Sequence, residues 1–130
     1  SRYVRGGAVL DWPRQRLAIS RVGNWYARTM LHLPYRDSTA GFRAYRAALL
    51  RQIDVHGLRA SGYAFQVELT YRSHQLGARI VELPILFHER ARGVSKMSLR
   101  IVGEALTLVT VWGVRDRLRA LRGRATRRAR

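Results

Sequence analysis

The sequence predicts an α/β fold, and an incomplete one. Three observations carry this. Two stretches, 14–33 and 98–121, repeat apolar residues at helical spacing. A run rich in branched residues, ARIVELPILF at 78–87, has the composition of a strand. Two or three strands against three or four helices are too few to close a doubly wound sheet, so the chain reads as the second half of something larger.

Taken in order, SRYV (1–4) reads as a strand or strand end, broken by Gly6 and Gly7. Asp11 as cap and Pro13 in the first turn start a helix over 14–33. Its apolar residues are Ala18, Val22, Trp25, Tyr26 and Met30, with Trp25 assigned to the core. Arg16, Ser20, Asn24 and Arg28, four apart, form a polar ridge that is either a solvent face or part of a site. Residues 33–46 are rich in turn formers and lead into a short strand at 42–45, then a short helix at 47–53. In 62–77, Phe65, Val67 and Leu69 alternate like a strand, but the length and Gly77 as C-cap favour helix. The strand at 78–87 contains Pro84, which suits an edge or an irregularity. A loop with Gly93 follows, then the amphipathic helix 98–121, built on Ile101, Ala105, Leu108, Val109 and Trp112. The division expected is a folded part, 1–121, and a basic disordered tail, 122–130.

An apolar share of 47% is ordinary for a globular core. The absence of cysteine excludes disulfides, thiolate metal sites and cysteine nucleophiles. No stretch reaches the roughly 18–20 apolar residues of a membrane span. The formal net charge of +17 implies an anionic partner: nucleic acid, anionic lipid or a phosphorylated small molecule. Every basic residue except Lys96 is arginine, and Lys96 sits in the loop after 87 with Arg90. His32, His56, His74 and His88 lack the close spacing of a zinc site. No glycine-rich phosphate loop follows a strand, and there is no Asp-x-Asp.

Five motifs occur in order: SRYV-x-GG, D-x-T-x-GFRAYR, GYAFQVEL, VELPI-x-F-x-ER and G-x-SKMS. Together they resemble the polyprenyl-phosphate (dolichyl-phosphate) mannose synthases, and more closely the actinobacterial polyprenol monophosphomannose synthases. The resemblance implies the C-terminal portion of an inverting, A-type nucleotide-sugar glycosyltransferase fold, the N-terminal nucleotide-binding half being absent. It implies GDP-mannose as donor and a membrane polyprenyl phosphate as acceptor. A divalent metal, Mg or Mn, is expected for the full enzyme, with its ligands in the absent half. The implied location is peripheral, on the cytoplasmic face of the plasma membrane.

The implied chemistry is attack by a phosphate oxygen on the anomeric carbon, with GDP leaving. The arginine of ER and the lysine of G-x-SK, here Arg90 and Lys96, match the family's ligands for the donor diphosphate, where cations stabilise developing charge. The family's acceptor-phosphate residues map by spacing onto Arg2, Arg16 and Ser20. A phosphate monoester is already largely anionic near neutral pH, so no strong base is required. Glu68 lies where related enzymes place a carboxylate and reads equally as a structural ion pair; Gln66 is a possible cleft residue. Asp37 and Arg43 read as fixing the STAGF turn. The basic C-terminal helix suits an anionic membrane surface. Two rival readings are a synthase for another sugar such as glucose and a basic RNA-binding module; the motifs favour mannose and no nucleic acid. The isolated chain is expected to be inactive.

Overall fold

The computed structural model describes residues 1–58, 60, 62–88 and 99–128. The chain begins extended: the Ser1 amino group donates to the Leu83 carbonyl at 2.6 Å, and the Ile85 N–H donates to the Ser1 carbonyl at 3.0 Å. Gly6 and Gly7 then fold it back. A Cβ on Gly7 would lie 2.6 Å from the Ser1 carbonyl oxygen, so this turn admits no side chain.

β1 (Ala8–Val9) follows and pairs in parallel with β2 (Leu86–Phe87), Ala8 opposite Leu86 and Val9 opposite Phe87. Three strand expectations are corrected here. The first strand lies after the double glycine, not at SRYV. Of 78–87 only the last two residues enter the ladder, because Pro84 has no N–H to give and only a short segment runs alongside. At 42–45 there is no strand; the carbonyls of Ser38 and Ala40 are taken by the Arg43 side chain at 2.7 and 2.6 Å. Branched or aromatic composition makes a strand only where a neighbour receives its hydrogen bonds.

The helices follow their sequence signals more closely. α1 (Arg14–Leu31) starts behind Pro13 and ends at His32, which takes a left-handed φ of 52° and bonds the Arg28 carbonyl. Asp11, with φ 63°, precedes the helix and does not cap it. α2 (Ala47–Ile53) has the predicted bounds, and a single 3-10 turn (Val55–Gly57) leads to α3 (Gly62–Gln75). Gly77, at φ 70°, closes α3 as expected. α4 (Leu99–Arg128) extends past residue 121, where the sequence placed its end; alanine and arginine are both good helix formers.

α1 and α4 lie side by side in the same direction. Ile19 and Val102 line one cavity, Tyr26 and Thr110 share a hydroxyl hydrogen bond of 2.6 Å, and a Cβ on Gly113 would lie 2.6 Å from the Met30 carbonyl oxygen. α3 packs on another side of α4. Tyr71 stacks on Trp112 (centroids 5.6 Å, planes 9° apart) and its hydroxyl donates to Asp116 at 2.7 Å. Burial, then the Asp116 carboxylate, push the Tyr71 hydroxyl up to about 12, so it stays a donor at ordinary pH. Ala27, Leu31, Leu33, Val67 and Val109 form the core between these helices.

Trp25 is not in that core; it is 63% exposed. α1 buries Asn24, Ala27 and Leu31, and leaves Val22 and Trp25 on its outer side. Among the described residues no helix is long and apolar enough to cross a membrane.

Candidate functional site

The N-terminal segment delivers a guanidinium to the end of α1. Arg2 is 6% exposed and faces Asp37, 7% exposed. Its backbone N–H and Nε donate to Asp37 Oδ2 at 3.0 and 2.7 Å, and Nη2 donates to Asp37 Oδ1 at 2.6 Å. Nη2 also donates to the Thr39 hydroxyl at 2.6 Å. Burial alone pushes the Asp37 carboxyl up, but the hydrogen bonds and charge of Arg2 outweigh it and hold the carboxyl below its ordinary value. Asp37 Oδ1 further accepts the N–H groups of Thr39 and Ala40, so one carboxylate holds both the chain start and the 37–40 turn.

The polar ridge of α1 meets this turn. Asn24, 2% exposed, accepts the Ser38 N–H at 2.7 Å and donates to the Thr39 hydroxyl at 3.0 Å and the Ser20 carbonyl at 2.9 Å. The Ser20 hydroxyl accepts from the Tyr3 hydroxyl at 2.6 Å. Arg16, one turn earlier, lays its guanidinium over the Trp12 ring, 4.0 Å from the centroid. The Arg2 guanidinium is 5.5 Å from the same ring, 5.1 Å from Tyr3 and 5.8 Å from Phe87. Three of the four ridge residues thus turn toward the site, and Arg28 is exposed.

This cluster borders a cavity of about 80 Å³ between α1 and α4. Arg2, Trp12, Ser20 and Thr39 line it together with Ile19, Ala27, Val67, Ala105 and Val109. One end offers guanidinium and hydroxyl groups and the walls are apolar, an arrangement suited to an anion carrying a hydrocarbon chain.

The other predicted residues fall elsewhere. Arg90 and Lys96 lie outside the described residues. Glu68, 2% exposed, accepts from Arg72 at 2.6 Å and from the Ala60 N–H at 3.1 Å, holding the segment after α2 against α3. Gln66 is half-buried, and its carbonyl accepts from Arg43 at 2.8 Å. Arg43 also reaches the Thr70 hydroxyl at 2.6 Å, so with Asp37 it fixes the turn, as the sequence suggested. Among the described residues no three His, Asp or Glu side chains come together as metal ligands.

Sequence reasoning missed that Asp37 is the partner of Arg2, and that Asn24 and Thr39 join the same network. The spacing of D-x-T after a helix carrying Ser20 and Asn24 was the available signal; nothing local identified Trp12 as the seat of Arg16.

No family model matches the chain, and no solved structure matches it. It is 52% identical over 124 residues to an undecaprenyl-phosphate mannosyltransferase of Micrococcus luteus, covering 95% of this chain and 51% of that protein. It is 47% identical over 123 residues to a polyprenol monophosphomannose synthase of Mycolicibacterium smegmatis, covering 95% and 46% respectively. Over nearly its whole length the chain is thus similar to part of each of these two proteins. The family resemblance drawn from five short motifs therefore extends over nearly the whole sequence, and the chain spans about half the length of the curated relatives it matches.

Proposed function

We propose that this chain forms the acceptor side of a mannosyltransferase of A-type fold that moves mannose from GDP-mannose to a membrane polyprenyl phosphate. The observation that carries the reading is its identity of 47–52% over 95% of the chain to two proteins with that kind of name. The geometry supports it independently. Arg2 and Ser20 line a largely apolar cavity and Arg16 stacks on Trp12 in its wall, surroundings that suit a phosphate head and its first isoprene unit.

In the proposed step an acceptor phosphate oxygen bonds to the anomeric carbon as the bond to the GDP oxygen breaks, with inversion. Electrons pass to the leaving diphosphate, which Arg90 and Lys96 stabilise. Arg16, with Arg2 held by Asp37, offsets repulsion between the acceptor phosphate and that diphosphate. Glu68, whose carboxylate is taken by Arg72 and the Ala60 N–H, is given a structural role in this reading. A divalent metal of the complete enzyme would be held outside the described residues and supply further charge neutralisation at the diphosphate.

The outer face of the helix pair supports a peripheral membrane location. α1 and α4 run the same way, and most of their exposed apolar residues fall on the side away from α3: Val22 and Trp25 on α1, Val111, Val114, Leu118 and Leu121 on α4. Arg115, Arg119 and Arg122 border this face and suit anionic head groups.

The test uses the full-length enzyme with radiolabelled GDP-mannose and undecaprenyl phosphate in vesicles. The expected result is a mannosylated lipid. No transfer, or preference for a glucose donor, overturns the reading.

A further inference from the structure

We propose that Trp12 is the positioning residue of this acceptor-phosphate site: its indole face seats the Arg16 guanidinium and, with Tyr3 and Phe87, cages that of Arg2, so both cations are in place before the phosphate arrives. The inference rests on the acceptor reading above and adds a residue that the spacing from SRY did not supply.

Two guanidiniums held against one indole ring repel each other, and each long side chain loses rotamer freedom when fixed. Arg2 meets both costs through Asp37, which holds it by three hydrogen bonds. Arg16 lies 4.0 Å above the Trp12 ring, well inside the range where an aromatic face attracts a cation. The ring is itself braced: Phe87 meets it edge-on at 5.3 Å and 77°, and Phe87 is fixed by its place in β2 opposite Val9. Through that contact the ladder carries the ring, and the ring carries the arginine.

The choice of tryptophan supports a role for the ring face. Trp12 Nε1 is buried and has no hydrogen-bond partner among the described residues. A buried indole N–H left in that state is a cost that phenylalanine would not carry. Indole also offers a cation the strongest face of the three aromatic side chains.

The test compares Trp12→Leu and Trp12→Phe in the full-length enzyme, with farnesyl phosphate as a water-soluble acceptor. Binding is read by calorimetry and transfer by steady-state kinetics, after melting curves confirm folding. Trp12→Leu is expected to weaken farnesyl phosphate binding and raise the acceptor KM about tenfold, with the GDP-mannose KM unchanged; Trp12→Phe should restore most of the loss. Unchanged binding in Trp12→Leu overturns the proposal, and so does an equal loss in both variants, which would assign the effect to the N–H. If Trp12→Leu does not fold, Arg16→Lys replaces it: the charge stays but the planar stack is lost, and several-fold weaker binding is expected, with wild-type binding counting against the proposal. Wild-type enzyme that binds farnesyl phosphate but transfers no mannose removes the functional reading while leaving this comparison decisive. Wild-type enzyme that binds none removes this proposal.

Discussion

Two regions of the molecule depart from the usual sorting of residues, in opposite directions. Along the inward side of α1, charged and polar side chains are buried: Arg2, Asn24, Asp37 and Ser38 are each less than 8% exposed. On the outer face of α1 and α4, apolar side chains lie open, from Val22 and Trp25 to Leu118 and Leu121. The two departures are compensated differently. Arg2, Asp37 and Asn24 are matched within the chain, donor to acceptor, and of the four only the Ser38 hydroxyl lacks a hydrogen-bond partner among the described residues. The exposed ones have no such internal match, and a partner surface is what would cover them.

The largest effect should come from breaking the inner match. Arg2→Ala strands the buried Asp37 carboxylate and is expected to cost about 3–5 kcal/mol by denaturant unfolding. A paired Arg2→Met, Asp37→Leu replacement should recover most of that, because the cost lies in leaving one charge unpaired. The same pair predicts an acid response. The Asp37 carboxyl is held below its ordinary value, so its contribution is complete above the unfolded value of about 3.9 and fades as pH falls through the folded one. Asp37→Asn should therefore lower stability at neutral pH and flatten its decline below about pH 4, measured by melting across a pH series.

Next in size, Asn24→Leu leaves the Ser38 N–H without its acceptor and is expected to cost about 1–3 kcal/mol by the same unfolding measurement. On the outer face the expectations reverse. Arg119→Ala should leave stability nearly unchanged and weaken binding to anionic vesicles by about 1 kcal/mol, an effect that shrinks as salt is added. The smallest change in stability belongs to Trp25→Ser, within about 0.5 kcal/mol, accompanied by weaker vesicle binding in a sedimentation assay. A large loss of stability in Trp25→Ser would erase the contrast between the two regions.

That contrast also marks how far the sequence could be read. The helices were legible because their signals are local: Pro13 ahead of α1, the bounds of α2, Gly77 behind α3. Strands were not, because Val81 and Leu83 have a strand's composition while pairing depends on what lies alongside. Of the apolar stripe on α1, Tyr26 and Met30 pack against the core, whereas Val22 and Trp25 face outward. Periodicity reports that a helix has two faces; which face turns inward was decided here by the fit of Ser20 and Asn24 to the 38–39 turn. For the site, Arg2, Arg16 and Ser20 were named from spacing, whereas the Trp12 stack and the Asp37 pair arise from tertiary contact and have no local signature.

Gly113 gives the cavity a mechanical character. With no side chain at that point, α4 rests directly on the Met30 carbonyl, while the hollow between the two helices opens toward Val102, some eleven residues back or about 16 Å along the axis. The pair works like tongs pinned at the last turn of α1 and the middle of α4. A methyl group inserted at the pin would act as a shim and spread the jaws at the far end, so the gauge of whatever lies between them is set by an atom that is missing several turns away.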